Sequence, residues 1–365
     1  MGSILRVILH VDLDYFFAQI EENLNSSLKT KPLVVCVYSG RTEDSGAVST
    51  SNYLARKFGV KSGIPIYLAK KLLKGKDAIF IPVNHELYEN VSKRIMSLLK
   101  NFADKFEQVS IDEAFLDVTK KTNNNFKRAY SFAKSIKNEV LKKEGLTCSV
   151  GIGANKLIAK IASAQKKPDG LTLVTASEAV QFLSNLPVER LPGVGKKSKK
   201  ILENERVRTI GDLASYDKNK LKMIFGNKTG EYFHKSSMGI DEEPVKEEEP
   251  KQFSRIVTLK EDTIDFQFIG PILRNLSKEL WSTVNNQNYI FRSIGIIVII
   301  ENLKSYLRTK TLYHATNNPE IIYETASELL LDLIKRIAEH KIRRIGVKVY
   351  NLERNLDQKS LNGFF

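Results

Sequence analysis

Two short acidic segments carry the residue types best suited to chemistry in this chain. One is His10-Val11-Asp12-Leu13-Asp14-Tyr15-Phe16-Phe17; the other is Val109-Ser110-Ile111-Asp112-Glu113-Ala114-Phe115-Leu116-Asp117. Each sets carboxylates where an apolar strand runs out. An isolated carboxylate is costly to bury unless a cation or hydrogen bonds compensate it. Brought side by side, Asp12, Asp112 and Glu113 would form an all-oxygen pocket suited to hard divalent ions such as Mg²⁺. Two such ions, about 3.5–4 Å apart, stabilise the attacking and leaving oxygens of an in-line phosphoryl displacement. That needs one bridging carboxylate and others that hold each ion singly, and the Leu13 carbonyl offers a further oxygen. Consecutive acids at a hairpin turn can converge on one point, whereas in mid-strand they face opposite sides. Either segment alone reads more simply as a solvated acidic turn. Both together, in a basic chain, favour the metal.

Other residues extend this chemistry. Phe16 and Phe17 are adjacent on one helix turn, so they cannot both face the same core stripe. One of them can lie against a bound nucleotide, and a ring pressed on sugar C2′ leaves no room for a 2′-hydroxyl. Tyr53 and Arg56 share a helix face and can hold a triphosphate, with Lys167 completing the cradle; the plainer reading is a surface helix with solvated charges. In Leu191-Pro192-Gly193-Val194-Gly195-Lys196-Lys197, the glycines permit a tight turn, and the following helix N-terminus aims N–H groups at a phosphate. The segment is like a helix-hairpin-helix element, which grips DNA backbone without reading sequence. A nucleotide P-loop is excluded, because Arg190 stands where its first glycine belongs. Lys341 to Lys348 reads as a basic strand. Alternation sends Arg343, Ile345 and Val347 to one face and Ile342, Arg344 and Lys348 mostly to the other. Its charge suits DNA backbone, or protects a solvated edge strand. At the tail, Gln358, Leu361, Phe364 and Phe365 suit one 3₁₀ turn with an aromatic plug, and exposed aromatics there invite a covering partner.

The elements that must position these residues follow from periodicity. Residues 4–12 read as a buried strand and 14–24 as a helix. Residues 33–38 form a strand, 47–59 a strand passing into a helix, and 66–74 a short helix. An amphipathic helix covers 85–102, a hairpin 106–118 with Asp112-Glu113 near its turn, a helix 126–143, a strand 146–153 and a helix through Ala164. An α+β layer with helices on one face fits this order. Short helices at 178–186, 196–204, 210–214 and 218–225 make a small helical domain. Residues 242–251, acidic with two prolines, read as a linker. Beyond it, strands at 255–259, 294–300 and 345–350 alternate with helices at 268–284 and 320–339.

Composition bounds the rest. With 365 residues the chain is expected to hold more than one domain. The formal net charge is +15 and the pI about 9.5, which calls for a polyanionic partner, nucleic acid or a membrane surface. No apolar run reaches membrane-span length, and Asp12 and Asp14 interrupt any signal-peptide pattern. Cys36 and Cys148 lie in apolar runs and read as buried thiols of a reducing compartment. Five histidines without paired spacing give no zinc site. A soluble, cytoplasmic protein is expected.

Taken together, VDLDYFFAQIE, VVCVYSGRTEDSGAVSTSNYLARKFGVKSGIPI, VSIDEAFLDV, AKIASAQKKPDG, LPGVGKK and KIRRIGVK resemble the archaeal Y-family of lesion-bypass DNA polymerases, from Val7 to Phe365. The resemblance implies an α+β multidomain right hand. Its palm would be 1–15 and 83–174, its fingers 16–82, its helical thumb 175–241, its linker 242–253 and its little finger 254–352, followed by the tail 353–365. It implies template-directed addition of deoxynucleotides to a primer by two Mg²⁺ ions, with low fidelity and no proofreading. Asp12, Asp112 and Glu113 match the catalytic and metal-binding carboxylates, with Leu13 lending its carbonyl. Phe17 falls at the sugar gate, beside Tyr15 and Phe16. Thr50, Tyr53, Arg56 and Lys167 match the triphosphate contacts. Gly193, Gly195, Lys196, Arg343 and Arg344 match DNA-binding positions. Gln358, Leu361, Phe364 and Phe365 resemble a sliding-clamp-binding peptide. Primer-template DNA, deoxynucleoside triphosphates and a clamp are the partners implied, for a monomer without a membrane. Four departures stand out: Phe17 in place of a tyrosine found in some relatives, Leu13 in place of a common phenylalanine, Phe115 in place of a usual tyrosine, and an acidic linker. A DNA-binding scaffold without catalysis and a nucleotide cyclase are the rival readings.

Overall fold

The computed structural model describes residues 6–247, 249–337 and 339–355. They divide into two compact units. The first holds 6–36, 48–64 and 69–247; the second holds 37–47, 65–68 and the described residues from 249 onward.

The chain begins with β1 (Ile8–Leu13), α1 (Phe16–Leu24), β2 (Leu33–Tyr38), β3 (Gly46–Ser51), α2 (Tyr53–Arg56), α3 (Ile66–Leu72) and β4 (Ile79–Pro82). It continues with α4 (His85–Asn101), β5 (Lys105–Gln108), β6 (Glu113–Asp117), α5 (Phe126–Glu144), β7 (Cys148–Gly153), α6 (Lys156–Ser163) and β8 (Leu171–Leu173). The main sheet runs β5-β6-β1-β7-β8, which puts β1 at its centre. Period-two alternation splits β1 between two cores. Leu9, Val11 and Leu13 face a large core with Ile95 and Leu99 of α4 and Ile136 and Val140 of α5. Ile8 packs on the opposite side with Phe115 of β6 and Ala159 of α6. Helices therefore cover both faces, not one. Two glycines of β7 make room for the second layer. A Cβ on Gly151 would lie 2.0 Å from the Ala159 carbonyl oxygen, and one on Gly153 2.7 Å from the Ala159 nitrogen. A smaller sheet runs β3-β2-β4, with β2 and β4 parallel.

Five further helices complete the first unit's described residues: α7 (Ala179–Ser184), α8 (Lys196–Asn204), α9 (Ile210–Ser215), α10 (Lys218–Phe225) and α11 (Asn227–Ser237). They share a core of Leu183, Leu202, Leu213, Leu221 and Phe233. Helix α11 escapes the sequence reading because Gly230 interrupts a helical pattern. The glycine is there for contact, since a Cβ on it would meet the Leu221 carbonyl carbon at 2.6 Å. The acidic segment after α11 has no regular structure over residues 241–247, as expected of a linker, yet it is not free. Val245 is buried against Ile8, Phe115 and Ala159, and the Arg6 guanidinium donates to the Asp241 and Glu243 carbonyls.

The second unit carries β9 (Gln252–Thr263), α12 (Phe266–Asn286), β10 (Tyr289–Ile300), β11 (Ser305–Thr316), α13 (Pro319–Arg336) and β12 (Ile342–Arg354). Strand β9 thus begins inside the segment 242–253 assigned to the linker. Its sheet runs β11-β10-β12-β9 with antiparallel pairing. The faces expected for β12 need correction. Ile342 shares the core with Ile345, Val347 and Val349, because the β10 pairing shifts register between Ile299 and Ile300, which face Arg344 and Ile342 and leave Arg343 as the extra residue. An extra residue in one strand leaves it unpaired and re-aims the side chains on one flank, so Arg343 does not line up with Ile345. Strand β11, unassigned from the sequence, mixes apolar and polar residues on both faces, with Leu307 and Tyr313 exposed.

Candidate active site

Strand register sets the acidic site. Asp12 of β1 lies directly across from Glu113 of β6, and the Leu13 amide donates to the Asp112 carbonyl at 2.9 Å. The hairpin turn delivers Asp112 and Glu113 at the mouth of β6, as their spacing requires. Asp12 shares its face of the sheet with His10 and Ile8, the face that α6 covers. One ligand atom each from His10, Asp12 and Glu113 lies within 4.8 Å of the others. Asp112 stands beside this trio; its Oδ1 accepts the Ser110 hydroxyl at 2.6 Å.

Cations already gather on these acids. The Lys160 ammonium of α6 donates to both Glu113 oxygens at 2.8 and 2.7 Å, and Lys167 donates to Asp12 Oδ1. His10 Nδ1 meets the Ser163 hydroxyl at 2.8 Å, while its Nε2 approaches Glu113 at 3.2 Å off the line of a good hydrogen bond. The electrostatics diverge accordingly. The His10 ring and then Lys160 hold the Glu113 carboxyl down at about 2, against the opposing push of burial. Burial raises Asp12, and Lys167 only partly offsets it. Burial also lowers His10, which Glu113 partly offsets. His10 and Lys160 were not singled out from the sequence. His10 carried a signal, because alternation places it two residues from Asp12 on the same face.

A cavity of about 260 Å³ opens beside Asp12. Leu13, Tyr15, Phe16, Phe17, Thr50, Arg56, Asp112 and Lys167 line it, with Ser49 and Ser62. It thus gathers residues that lie more than a hundred positions apart in sequence. Tyr15 makes the turn into α1 with φ 36°, and its hydroxyl donates to Glu22 at 3.0 Å. Phe16 and Phe17 differ in burial, but both reach the same core and both line the cavity. Phe16 is buried in the core, while half-buried Phe17 stacks on Tyr88, centroids 4.2 Å apart and planes 17° apart. The Tyr88 hydroxyl donates to Glu21 at 2.6 Å. The Tyr53 ring sits edge-on to Tyr15 and under the Arg56 guanidinium, 4.9 Å from its centroid. The Tyr53 hydroxyl is buried without a hydrogen-bond partner, and burial pushes it up to about 12. A buried donor without an acceptor is costly; Tyr53 stands behind Tyr15 and Arg56 rather than among the residues that line the cavity.

A second cavity, about 640 Å³, joins His10, Asp12, Lys160 and Lys167 to the loop from Glu189 to Gly195. Gly193 adopts φ +89°, open to glycine and strained for other residues, and a Cβ there would press on the Tyr232 ring at 3.2 Å. Gly195 is the N-cap of α8, with Lys196 following it exposed. Elsewhere, Arg343 donates to both Asp262 oxygens at 3.2 and 2.7 Å, and Arg344 Nε is buried without a partner. Gln358, Leu361, Phe364 and Phe365 lie outside the described residues.

Known proteins match this chain over nearly its whole length. The impB/mucB/samB family matches residues 11–164, its C-terminal domain 250–362, and the DNA polymerase-iota thumb domain 189–241. DNA polymerase IV of Nitrosopumilus maritimus is 42% identical over 99% of both chains. DNA polymerase IV of Saccharolobus solfataricus is 40% identical over 98% of this chain and 99% of the relative. A solved insertion ternary complex of Dbh DNA polymerase superposes with a TM-score of 0.71 at 40% identity, over 96% of this chain and 100% of that one. A Y-family chimera of Dbh and Dpo4 reaches 0.90 with the same identity and coverage. The chain belongs to the impB/mucB/samB family and is a Y-family DNA polymerase of the translesion class.

Proposed function

We propose that Asp12, Asp112 and Glu113 hold two Mg²⁺ ions and that the cavity beside them takes a deoxynucleoside triphosphate opposite a DNA template. The observation that carries this reading is the cross-strand pair Asp12–Glu113, with an ammonium group drawn onto each carboxylate. A set of hard oxygen donors that already collects cations fits a divalent ion. The Leu13 carbonyl adds a neutral oxygen to this set. When bound there, Mg²⁺ stabilises charge on the reacting oxygens of the phosphoryl group.

The chain's own residues do the rest. Lys167 and Arg56 bind the triphosphate, with Tyr53 behind Arg56 and Thr50 at the same wall; fixed donors in a partly enclosed site hold the phosphoryl group where it must react. Phe17, braced flat against Tyr88, excludes a ribose 2′-hydroxyl, with Tyr15 and Phe16 fixing the floor beneath it. The Gly193–Gly195 turn, Lys196 and the cations of β12 take the DNA backbone, so they add grip without sequence preference. Palm 1–15 and 83–174, fingers 16–82, thumb 175–241 and little finger 254–352 are the corresponding domains. Gln358, Leu361, Phe364 and Phe365 dock on a sliding clamp, and the enzyme acts as a cytoplasmic monomer. Primer extension tests the core of this reading. A primed template with all four deoxynucleotides should be extended in Mg²⁺ and not in chelator. Extension without divalent metal, or product from ATP without DNA, contradicts it.

A further inference from the structure

Asp14 is a charged residue that the proposed chemistry leaves unused. It is fully buried at the end of β1. Its carboxylate nonetheless accepts three hydrogen bonds: from the Ser149 hydroxyl at 2.7 Å, the Thr147 hydroxyl at 3.0 Å and the Asp169 amide at 2.8 Å. Ser149 continues the chain of contacts by accepting the Gly170 amide at 3.1 Å. Two of the turn's amides, Asp169 and Gly170, thus hang on Asp14, one directly and one through Ser149. On the far side, Lys137 of α5 donates to the Asp169 carboxylate at 2.6 Å and to the Gly170 carbonyl at 3.2 Å.

The turn so held carries Lys167, whose ammonium reaches Asp12 at the edge of the cavity. The segment Asp12–Asp14 at the end of β1 therefore grips it at two points, through Asp12 at the ammonium and through Asp14 at the backbone two residues on. Asp169 sits in the left-handed region at φ 56°, which Asp enters more readily than most non-glycine residues, and the bond from its amide to Asp14 fixes it there. Burying a carboxylate so deeply is costly, and three donors offset that cost only in this one geometry.

We infer that Asp14 is a positioning residue, which sets where Lys167 meets the incoming triphosphate. This rests on the assignment of Lys167 to the triphosphate. Displacing a binding group by about 1 Å can cost on the order of a hundredfold, so the effect should fall on nucleotide capture.

The test is a mutant cycle read by binding. Deoxynucleotide affinity is measured in the ternary complex with a dideoxy-terminated primer, beside KM and kcat for incorporation. Asp14→Ala should weaken nucleotide binding about tenfold and raise KM more than it lowers kcat, with primer-template affinity unchanged. Asp14→Asn keeps an oxygen for the Asp169 amide and should stay within about threefold of wild type. In a Lys167→Ala background, Asp14→Ala should add almost nothing, because both act through one contact. Should Asp14→Ala not fold, Ser149→Ala carries the same test, with a smaller weakening that also vanishes in the Lys167→Ala background. Multiplicative losses in the double variant, or a fall in kcat alone, overturn the inference and leave Lys167's assignment standing. Unchanged nucleotide affinity in Lys167→Ala itself overturns both.

Discussion

Phe17 shows how much of the site one residue discloses before any fold is known. Two adjacent aromatics take different places: Phe16 is buried in the core, half-buried Phe17 packs at its edge on a Tyr88 backing, and both line the cavity. The partner ring was invisible in the sequence, because Tyr88 lies seventy-one positions away on α4. Phe17→Ala should open the space below a sugar, so that discrimination against ribonucleotides drops by about tenfold or more. Incorporation kinetics with paired dNTP and rNTP substrates check this; unchanged discrimination would place the gate elsewhere. Asp12, Asp112 and Glu113 were likewise legible from type and spacing. Lys160 was not, since a lysine on an amphipathic helix gives no hint that it will turn inward onto Glu113.

At the scale of elements, the hairpin that delivers Asp112 and Glu113 was readable because apolar alternation brackets two acids. The second helical layer was not. It depends on Gly151 and Gly153, whose missing side chains let α6 approach β7, and close approach leaves no mark on hydrophobic periodicity. The β12 bulge was equally hidden, and it leaves Arg343 against Asp262. Arg343, and after it Arg41 of the same compact unit, hold the Asp262 carboxyl at about 2 despite the opposing effect of burial. With the folded value depressed, this pairing stabilises the fold above the ordinary carboxylate range and loses that contribution as pH falls towards 2. Asp262→Asn should therefore narrow its stability gap to wild type in acid. It should also free a cation for DNA, so primer-template affinity at low salt rises and the salt slope steepens by about one. Lower affinity in that variant would show that the ion pair presents Arg343 to DNA.

For the whole molecule, a formal net charge of +15 points the cations at a polyanion. Binding of primer-template should weaken steeply as salt rises, since phosphate contacts release counterions. The tail adds a separate grip in the proposed function. Deleting residues 358–365 should leave extension on bare template intact and remove stimulation by a sliding clamp; equal stimulation with and without the tail refutes that role. The expectation of a separate α+β domain beyond residue 251 came from the sequence, through the acidic, proline-bearing segment 242–251. That segment's anchoring did not, because Val245 is a single apolar residue with no periodic partner to reveal it.

The most direct test of the account is single-turnover nucleotide incorporation by Glu113→Ala, measured beside its primer-template dissociation constant. Removing one of the carboxylates proposed to hold the metals should slow incorporation roughly a thousandfold or more, while DNA binding stays within about twofold of wild type. Incorporation at the wild-type rate would contradict the assignment of Asp12, Asp112 and Glu113 as the catalytic centre.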